Sequence, residues 1–256
     1  MAATDHYTLS SVKKALKLLR SFSVDEPEKG ITELAKTLHL TKSTVQRLVV
    51  TLTEEGFLQK NPKTHRYRLG MSILGLSGII TSSNELYNEA MPVLRKLVEV
   101  VGETAHLAIL DGMEVVYLMK VDCNHPVRLI TRLGSRNPLY CTSSGKAILA
   151  HQDQQMIEQV IKNGLNRVAE NTITDPEMLR KELEKIKAQG YASDVNEVDD
   201  GTVSVAAPIR DFTGEVVGAV NIVGPIQRFS PEKIPQYSGK VMQAAREVSR
   251  KLGYYR

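Results

Sequence analysis

Hydrophobic positions recur at helical spacing three times within the first sixty residues. In "SSVKKALKLLRSF" the residues Val12, Leu16, Leu19 and Phe22 fall near one face, with Lys13, Lys14, Lys17 and Arg20 mostly opposite. That spacing predicts an amphipathic helix with a serine start. The acidic, glycine-containing "VDEPEKG" interrupts it, and "ITELAKTLHL" places Ile31, Leu34, Ala35 and Leu38 along a second short helix. Thr41 is a natural N-cap for a third helix running to about Glu55, which Gly56 can stop. Its apolar side is Val45, Leu48, Val49 and Leu52, which leaves Lys42, Ser43, Thr44, Gln46 and Arg47 projecting from the first turns.

The pattern then shortens to strands. "FLQKNPKTHRYRLG" reads as two strands, 57–60 and 66–69, around the turn "NPKTH"; the tip carries Lys63, His65 and Arg66, with Lys60 and Arg68 on its flanks. Two short helices joined by a tight turn, followed by a basic hairpin, predict a winged helix-turn-helix. A major groove admits such a helix: Gln46 and Arg47 suit base edges, Lys42 and Ser43 suit phosphates, and the hairpin tip suits the backbone or minor groove. The competing reading is a solvated basic hairpin on a protein-binding helical domain.

Residues 71–102 are mostly helical in pattern, and Leu74, Leu76, Ile79 and Ile80 are too apolar to stay exposed. They are expected to pack against a second copy of the chain or against the adjoining domains, and the first of these anticipates a homodimer. From Glu103 the period changes to alternation. Strands are expected over 103–110, 114–122, 127–134, 201–211 and 215–224, and helices over 144–151, 153–163, 175–189 and after "FSPEK". The fold class is therefore α+β: an N-terminal winged helix-turn-helix domain (1–70), a linker helix (71–84) and a C-terminal domain (85–256) with an antiparallel sheet covered by helices.

Charge sharpens this division. Residues 1–70 hold twelve Lys/Arg against seven Asp/Glu, a net of +5, while the remainder holds twenty-one against twenty-two, a net of −1. A small basic domain beside a nearly neutral one is the pattern expected when only the first meets a polyanion. At 42% hydrophobic and 24% charged, the 256-residue chain is ordinary globular protein with room for two cores. "MAATDHYTLSS" lacks an apolar signal core and no apolar run approaches a membrane span, so a cytoplasmic protein with no membrane partner is expected. Cys123 and Cys141 belong to no metal-ligand pattern and are expected to be reduced thiols in or near the second core. No cofactor and no metal are expected.

"CTSSGKA" has its own chemistry. Small hydroxylated residues before a helix leave first-turn N–H groups free for a carboxylate, although an ordinary capped helix start reads the same way. Ser143 and Lys146 also match Ser-x-x-Lys, but its companion motifs are absent. A phosphate loop would need Gly and Ser/Thr where Tyr140 and Ala147 stand. Catalysis is thus the weaker alternative, as a metabolite-binding enzyme with an accessory basic domain.

Taken together, "ITELAKTLHLTKSTVQRLVVTLTEEGFLQ", "PLYCTSSGKAILA" and "GYASDVNEVDDGTVSVAAPIRD" resemble the IclR family of bacterial transcriptional regulators, in order and over essentially the whole chain. In the last motif Gly190, Asp194, Glu197, Ser204, Val205, Ala206, Ile209 and Asp211 fall at the family's spacing, while Arg210 stands where an aromatic or His is usual. The resemblance implies a GAF-like effector-binding domain and dimers or tetramers on near-palindromic, double-stranded operator DNA. It implies a pocket for a small organic acid or sugar acid formed by Leu129, Ser143, Ser144, Asp194, Thr202, Ser204, Asn221 and Val223. Ser204 replaces a frequent Cys. "TRLGSRNPLYCTSSGKAIL" and "NTIT" look closest to regulators of sugar-acid catabolism, of which the 2-keto-3-deoxygluconate-responsive branch is one, and repression is the expected sign.

Overall fold

The computed structural model describes residues 8–125 and 131–255. Contacts divide the chain into one unit ending at Ser83 and another beginning at Asn84.

The first unit contains α1 (Ser10–Leu19), α2 (Ile31–Leu38), α3 (Lys42–Glu54), the hairpin β1 (Leu58–Lys60) and β2 (Tyr67–Leu69), and α4 (Met71–Ser82). His39 takes the left-handed conformation that ends α2, and the Leu40 N–H returns to the Ala35 carbonyl at 3.0 Å. The chain therefore turns sharply into Thr41, whose Oγ1 accepts from the Thr44 N–H at 3.3 Å and caps α3. Such a cap stabilises a helix by about 1 kcal/mol. Leu18, Leu34, Val45 and Val49 are fully buried in the small core, each side chain contributing roughly 1.5–3 kcal/mol relative to exposure.

One face was misassigned by spacing alone. In α1, Leu18 is the fully buried residue, with Leu19 packed beside it, while Val12 and Leu16 stay about half exposed. "KKALKLL" supports two overlapping apolar stripes, and the core of α2 and α3 selects the one through Leu18. Past α3, Gly56 adopts φ +73° and ends the helix. Lys29 and Tyr67 exchange backbone hydrogen bonds at 2.9 Å each, adding a bridge to the hairpin.

The second unit runs α5 (Glu85–Val101), β3 (Thr104–Asp111), β4 (Glu114–Val121), β5 (Arg136–Pro138), α6 (Ser143–Leu149), α7 (Gln154–Lys162), α8 (Pro176–Gln189), β6 (Ala192–Val195), β7 (Thr202–Arg210), β8 (Val216–Pro225) and α9 (Ile234–Lys251). The strands form one antiparallel sheet in the order β5-β4-β3-β8-β7-β6. Of the strand expected over 127–134, residues 127–130 lie outside the described ones, and Thr131–Gly134 are irregular and turn. The short strands β5 and β6 had no separate signal in the sequence pattern.

Strand alternation sorts the sheet into two faces. Val203, Val205, Ala207 and Ile209 of β7, with Val220 and Ile222 of β8, pack beneath α5 and α9. Ala206 and Ala219 face the other way, toward a second core built with α6 and α8. Cys141 lies in that second core, Cys123 is buried as well, and both are free thiols. Among the described residues, no helix is long and apolar enough to cross a membrane.

Candidate functional site

On α3, Val45 and Val49 point into the core while Lys42, Ser43, Gln46 and Arg47 are exposed and Thr44 is half-buried. The hydroxyls of Ser43 and Thr44 both lie within hydrogen-bonding distance of Thr41 Oγ1, at 3.1 and 2.9 Å. Polar groups and two cations thus cluster at the N-terminal end of a 13-residue helix.

In the hairpin turn, Asn61 Oδ1 accepts from the Lys63 and Thr64 N–H groups, and His65 takes φ 54° to reverse the chain. Lys63 and His65 are left exposed at the tip. Arg66 is differently placed. Its guanidinium donates to both carboxylate oxygens of Glu33 on α2, at 3.1 and 2.7 Å, and to the Glu28 carbonyl at 2.8 Å. Glu28 in turn accepts from Asn61 and Thr64. The hydrogen bond from Asn61 holds the Glu28 carboxyl below its ordinary range, and that from the Gly30 N–H does the same for Glu33. The hairpin is therefore tied to α2 through Glu33 and to the segment before it through Glu28, two carboxylates to which the sequence pattern assigns no role.

The second unit holds a cleft of about 350 Å³ on the polar side of the sheet, lined by Thr131, Arg132, Ser135, Asn137, Thr142, Asp194, Asp199, Thr202, Ser204 and Asn221 together with Tyr117, Val168, Val198 and Val223. Its geometry follows from register. Asp194 pairs with Ser204, and Ser204 with Val223; Asn221 pairs with Ala206 on one side and His106 on the other. Equal spacing along neighbouring strands brings Asp194, Ser204, Asn221 and Val223 onto one surface. Of the residues implied by resemblance, Asp194, Thr202, Ser204, Asn221 and Val223 line the cleft. Ser143 reaches it indirectly, through a 2.6 Å hydrogen bond to Ser204, and Ser144 is fully buried without lining it. Leu129 lies outside the described residues.

Beneath Ser204 is a buried charged group. Asp194 accepts from the Glu197 N–H at 2.8 Å and from the Ser204 hydroxyl at 3.3 Å, while Lys146 on α6 contacts Glu197 at 2.5 Å. Burial pushes the Asp194 carboxyl up to about 6 and Glu197 up to about 7, against the opposing pull of Lys146. Gly145 lets the start of α6 lie close against the preceding segment: a Cβ there would fall 2.5 Å from the Leu139 carbonyl. Lys146, the next residue, is in an internal ion pair. Thr142 caps its own helix by accepting from the Gly145 N–H at 2.8 Å.

His106 was missed, as was the role of Tyr117. The imidazole is fully buried, 3.0 Å from Asn221 Oδ1 and 2.7 Å from Thr131 Oγ1, and its ring lies 4.9 Å from that of Tyr117. Burial holds its pKa down to about 4, so the ring is neutral near pH 7. Nδ1 then donates to Asn221, and Nε2 accepts the Thr131 hydroxyl proton. A lone His alternating with apolar residues in "TAHLAIL" was the available signal.

An exposed polar helix and a basic hairpin in one unit, and a small polar cleft in the other, define a ligand-responsive DNA-binding regulator. Residues 11–62 match the IclR helix-turn-helix domain, and residues 79–250 match the bacterial transcriptional regulator IclR C-terminal domain. The chain belongs to the IclR family of bacterial transcriptional regulators. It is 33% identical over 249 residues to the HTH-type transcriptional regulator KdgR of Escherichia coli (strain K12), covering 97% of this chain and 94% of that protein. It is 29% identical over 248 residues to the transcriptional repressor IclR of the same organism, covering 96% and 90%. The crystal structure of an IclR homolog from Microbacterium hydrocarbonoxydans, complexed with 4-hydroxybenzoate, superposes with a TM-score of 0.83 at 27% identity, covering 94% of this chain and 98% of that one.

Proposed function

We propose that the protein is a repressor that binds double-stranded operator DNA as a homodimer or a pair of dimers, and that a small sugar acid in the second unit sets its DNA affinity. Gln46 and Arg47 read base edges, Lys42, Ser43 and Thr44 hold phosphates at the helix start, and Lys63 and His65 contact the backbone beside them. Arg66 orients the hairpin through Glu33 and meets DNA only with its remaining donor capacity. In the cleft, Arg132 pairs with the ligand carboxylate, while Asp194, Thr202, Ser204 and Asn221 hydrogen-bond its hydroxyl and keto oxygens. Val223 packs against its carbon chain, and Ser143 supports Ser204 from α6.

The observation that carries this reading is the composition of the cleft: hydroxyl, amide and carboxylate groups converge with one guanidinium in about 350 Å³. That volume is at the small end of ligand sites, which run from about 300 to 1,000 Å³. An aromatic acid would leave most of those polar groups unmatched, which costs binding energy. A hydroxylated acid of the 2-keto-3-deoxygluconate type satisfies them.

The test combines DNA and ligand binding. In gel shifts on the promoter region of its own gene, Arg47→Ala is expected to weaken binding at least tenfold, and an unchanged affinity would remove Arg47 from the reading role. In a thermal-shift panel of small carboxylates, a sugar acid at a hundred times its Kd stabilises the native state by about 2.7 kcal/mol. That shift should vanish in Asn221→Ala and Thr202→Val. Its persistence in both variants excludes this cleft as the site.

A further inference from the structure

A second cleft in the same unit has the opposite electrostatic character. It encloses about 300 Å³ between the end of α8, the end of β7 and the last turns of α9, and its charged side chains are Lys187, Arg210, Arg246 and Arg250. Among the described residues, no carboxylate lines it. His151, just past α6, lies at its wall, and Pro208, Met242 and Tyr254 give it an apolar lining.

The four cations are held there by the fold. Arg246 and Arg250 are one turn apart on α9 and so share a face. Arg210 is fixed at both ends: its backbone N–H donates to Ser249 Oγ at 2.9 Å, and its guanidinium donates to the Gly214 carbonyl at 2.7 Å. Among the described residues, its remaining donors meet no carboxylate in the cleft. Lys187, Arg246 and Arg250 have no hydrogen-bond or ion-pair partner among the described residues. Acids on the same helices are turned elsewhere: Glu247 lines a cleft with Lys96 and Lys240, and Glu184 lines one with Arg180, which Lys187 also borders. Asp211, next to Arg210, accepts from the Thr213 N–H and hydroxyl in its own turn. The concentration of positive charge is felt locally, because burial first, and then Arg210 and Lys187, lower the proton affinity of His151.

From this convergence we infer that the cleft is a second ligand site, distinct from the sugar-acid pocket, for a small phosphorylated metabolite. Three guanidinium groups present flat, paired donors that match phosphate oxygens, and Lys187 adds a point charge. A monocarboxylate neutralises only one of the four charges, whereas a phosphate ester carries close to two. The apolar lining accommodates a carbon skeleton on the same small molecule. The two clefts share no lining residue, so the protein can take two chemically different effectors at once.

Inorganic pyrophosphate is the probe, titrated calorimetrically into the full-length protein at fixed ionic strength. Saturable binding is expected, weakened at least tenfold in Arg246→Gln/Arg250→Gln, whose altered side chains are exposed and leave the core intact. The His151 ring, followed by NMR, should show its pKa rising when pyrophosphate binds wild type, because the anion offsets Arg210 and Lys187. Asp194→Asn, in the other pocket, should bind pyrophosphate as wild type does. Equal affinity in the double variant, a response reproduced by matched sodium chloride, or an unmoved His151 overturns the proposal. So does a double variant that loses affinity for duplex DNA while pyrophosphate fails to bind wild type, since the cations would then serve a polymer.

Discussion

Asp194 sits where burial and function pull against each other. Its carboxyl accepts two hydrogen bonds and feels Lys146, yet burial still dominates and raises it from 3.8 to about 6. A folded-state pKa above the unfolded value means that the native state binds the proton more tightly. The resulting stabilisation is full below about pH 4 and is lost as pH rises through 6. Asp194→Asn removes that loss while keeping an oxygen for the Glu197 N–H. The variant should be more stable than wild type at pH 8 by about 3 kcal/mol, given about 1.4 kcal/mol per pKa unit, and nearly equal to it at pH 4; denaturant melts at the two values measure this. An identical pH profile for variant and wild type would mean that Asp194 is not the group responsible. Single residues were unevenly legible in the sequence. Asp194, Ser204 and Asn221 were named through the family resemblance and line one cleft, but the pairing of Lys146 with Glu197 joins residues 51 apart, and no local pattern reports such a contact.

Among the elements, the hairpin is the one whose chemistry changed most between sequence and structure. Arg66 looked like a tip cation because it follows Lys63 and His65, but Glu33 and the Glu28 carbonyl occupy most of its donors. Lys63→Ala should therefore weaken DNA binding mildly and reduce the slope of log affinity against log salt by about 1, the signature of one lost phosphate contact. Glu33→Gln should weaken DNA binding with little change in that slope, because it loosens the hairpin without removing a cation. Equal slope changes in the two variants would return Arg66 to a direct phosphate role. Elements with long, regular periods were readable: α3 and its Thr41 cap, α8, β7 and β8 all lie within a few residues of expectation. The failures have physical causes. In α1 two apolar stripes overlap and only tertiary packing chooses between them. β5 and β6 are three and four residues long, too short for alternation to register.

At the scale of the whole molecule, α4 is the unmatched surface. Met71, Leu74, Leu76, Ile79 and Ile80 are each more than half exposed in the single chain, and the helix buries no residue of its own. On the proposed reading of a two-fold symmetric operator, a second copy is the occupant to expect, since it would supply the same apolar face and set two reading helices on one duplex. Ile79→Glu should shift the protein toward monomer in sedimentation and weaken operator binding more than it weakens binding to a single half-site. A variant that sediments as wild type would place the contact elsewhere. The two cysteines bear on how such assembly can be followed. Cys141 is fully buried, and burial pushes its thiol up to about 12, while Cys123 is 2% exposed and linked to Thr104. Thiolate is the reactive form and Cys141 is held as the thiol, while burial shields Cys123, so neither native sulfur competes for a maleimide dye or a spin label in the folded protein. A cysteine introduced at an exposed position on α4 becomes the one addressable handle per chain, and distances between two such labels can be measured without first removing the natural thiols.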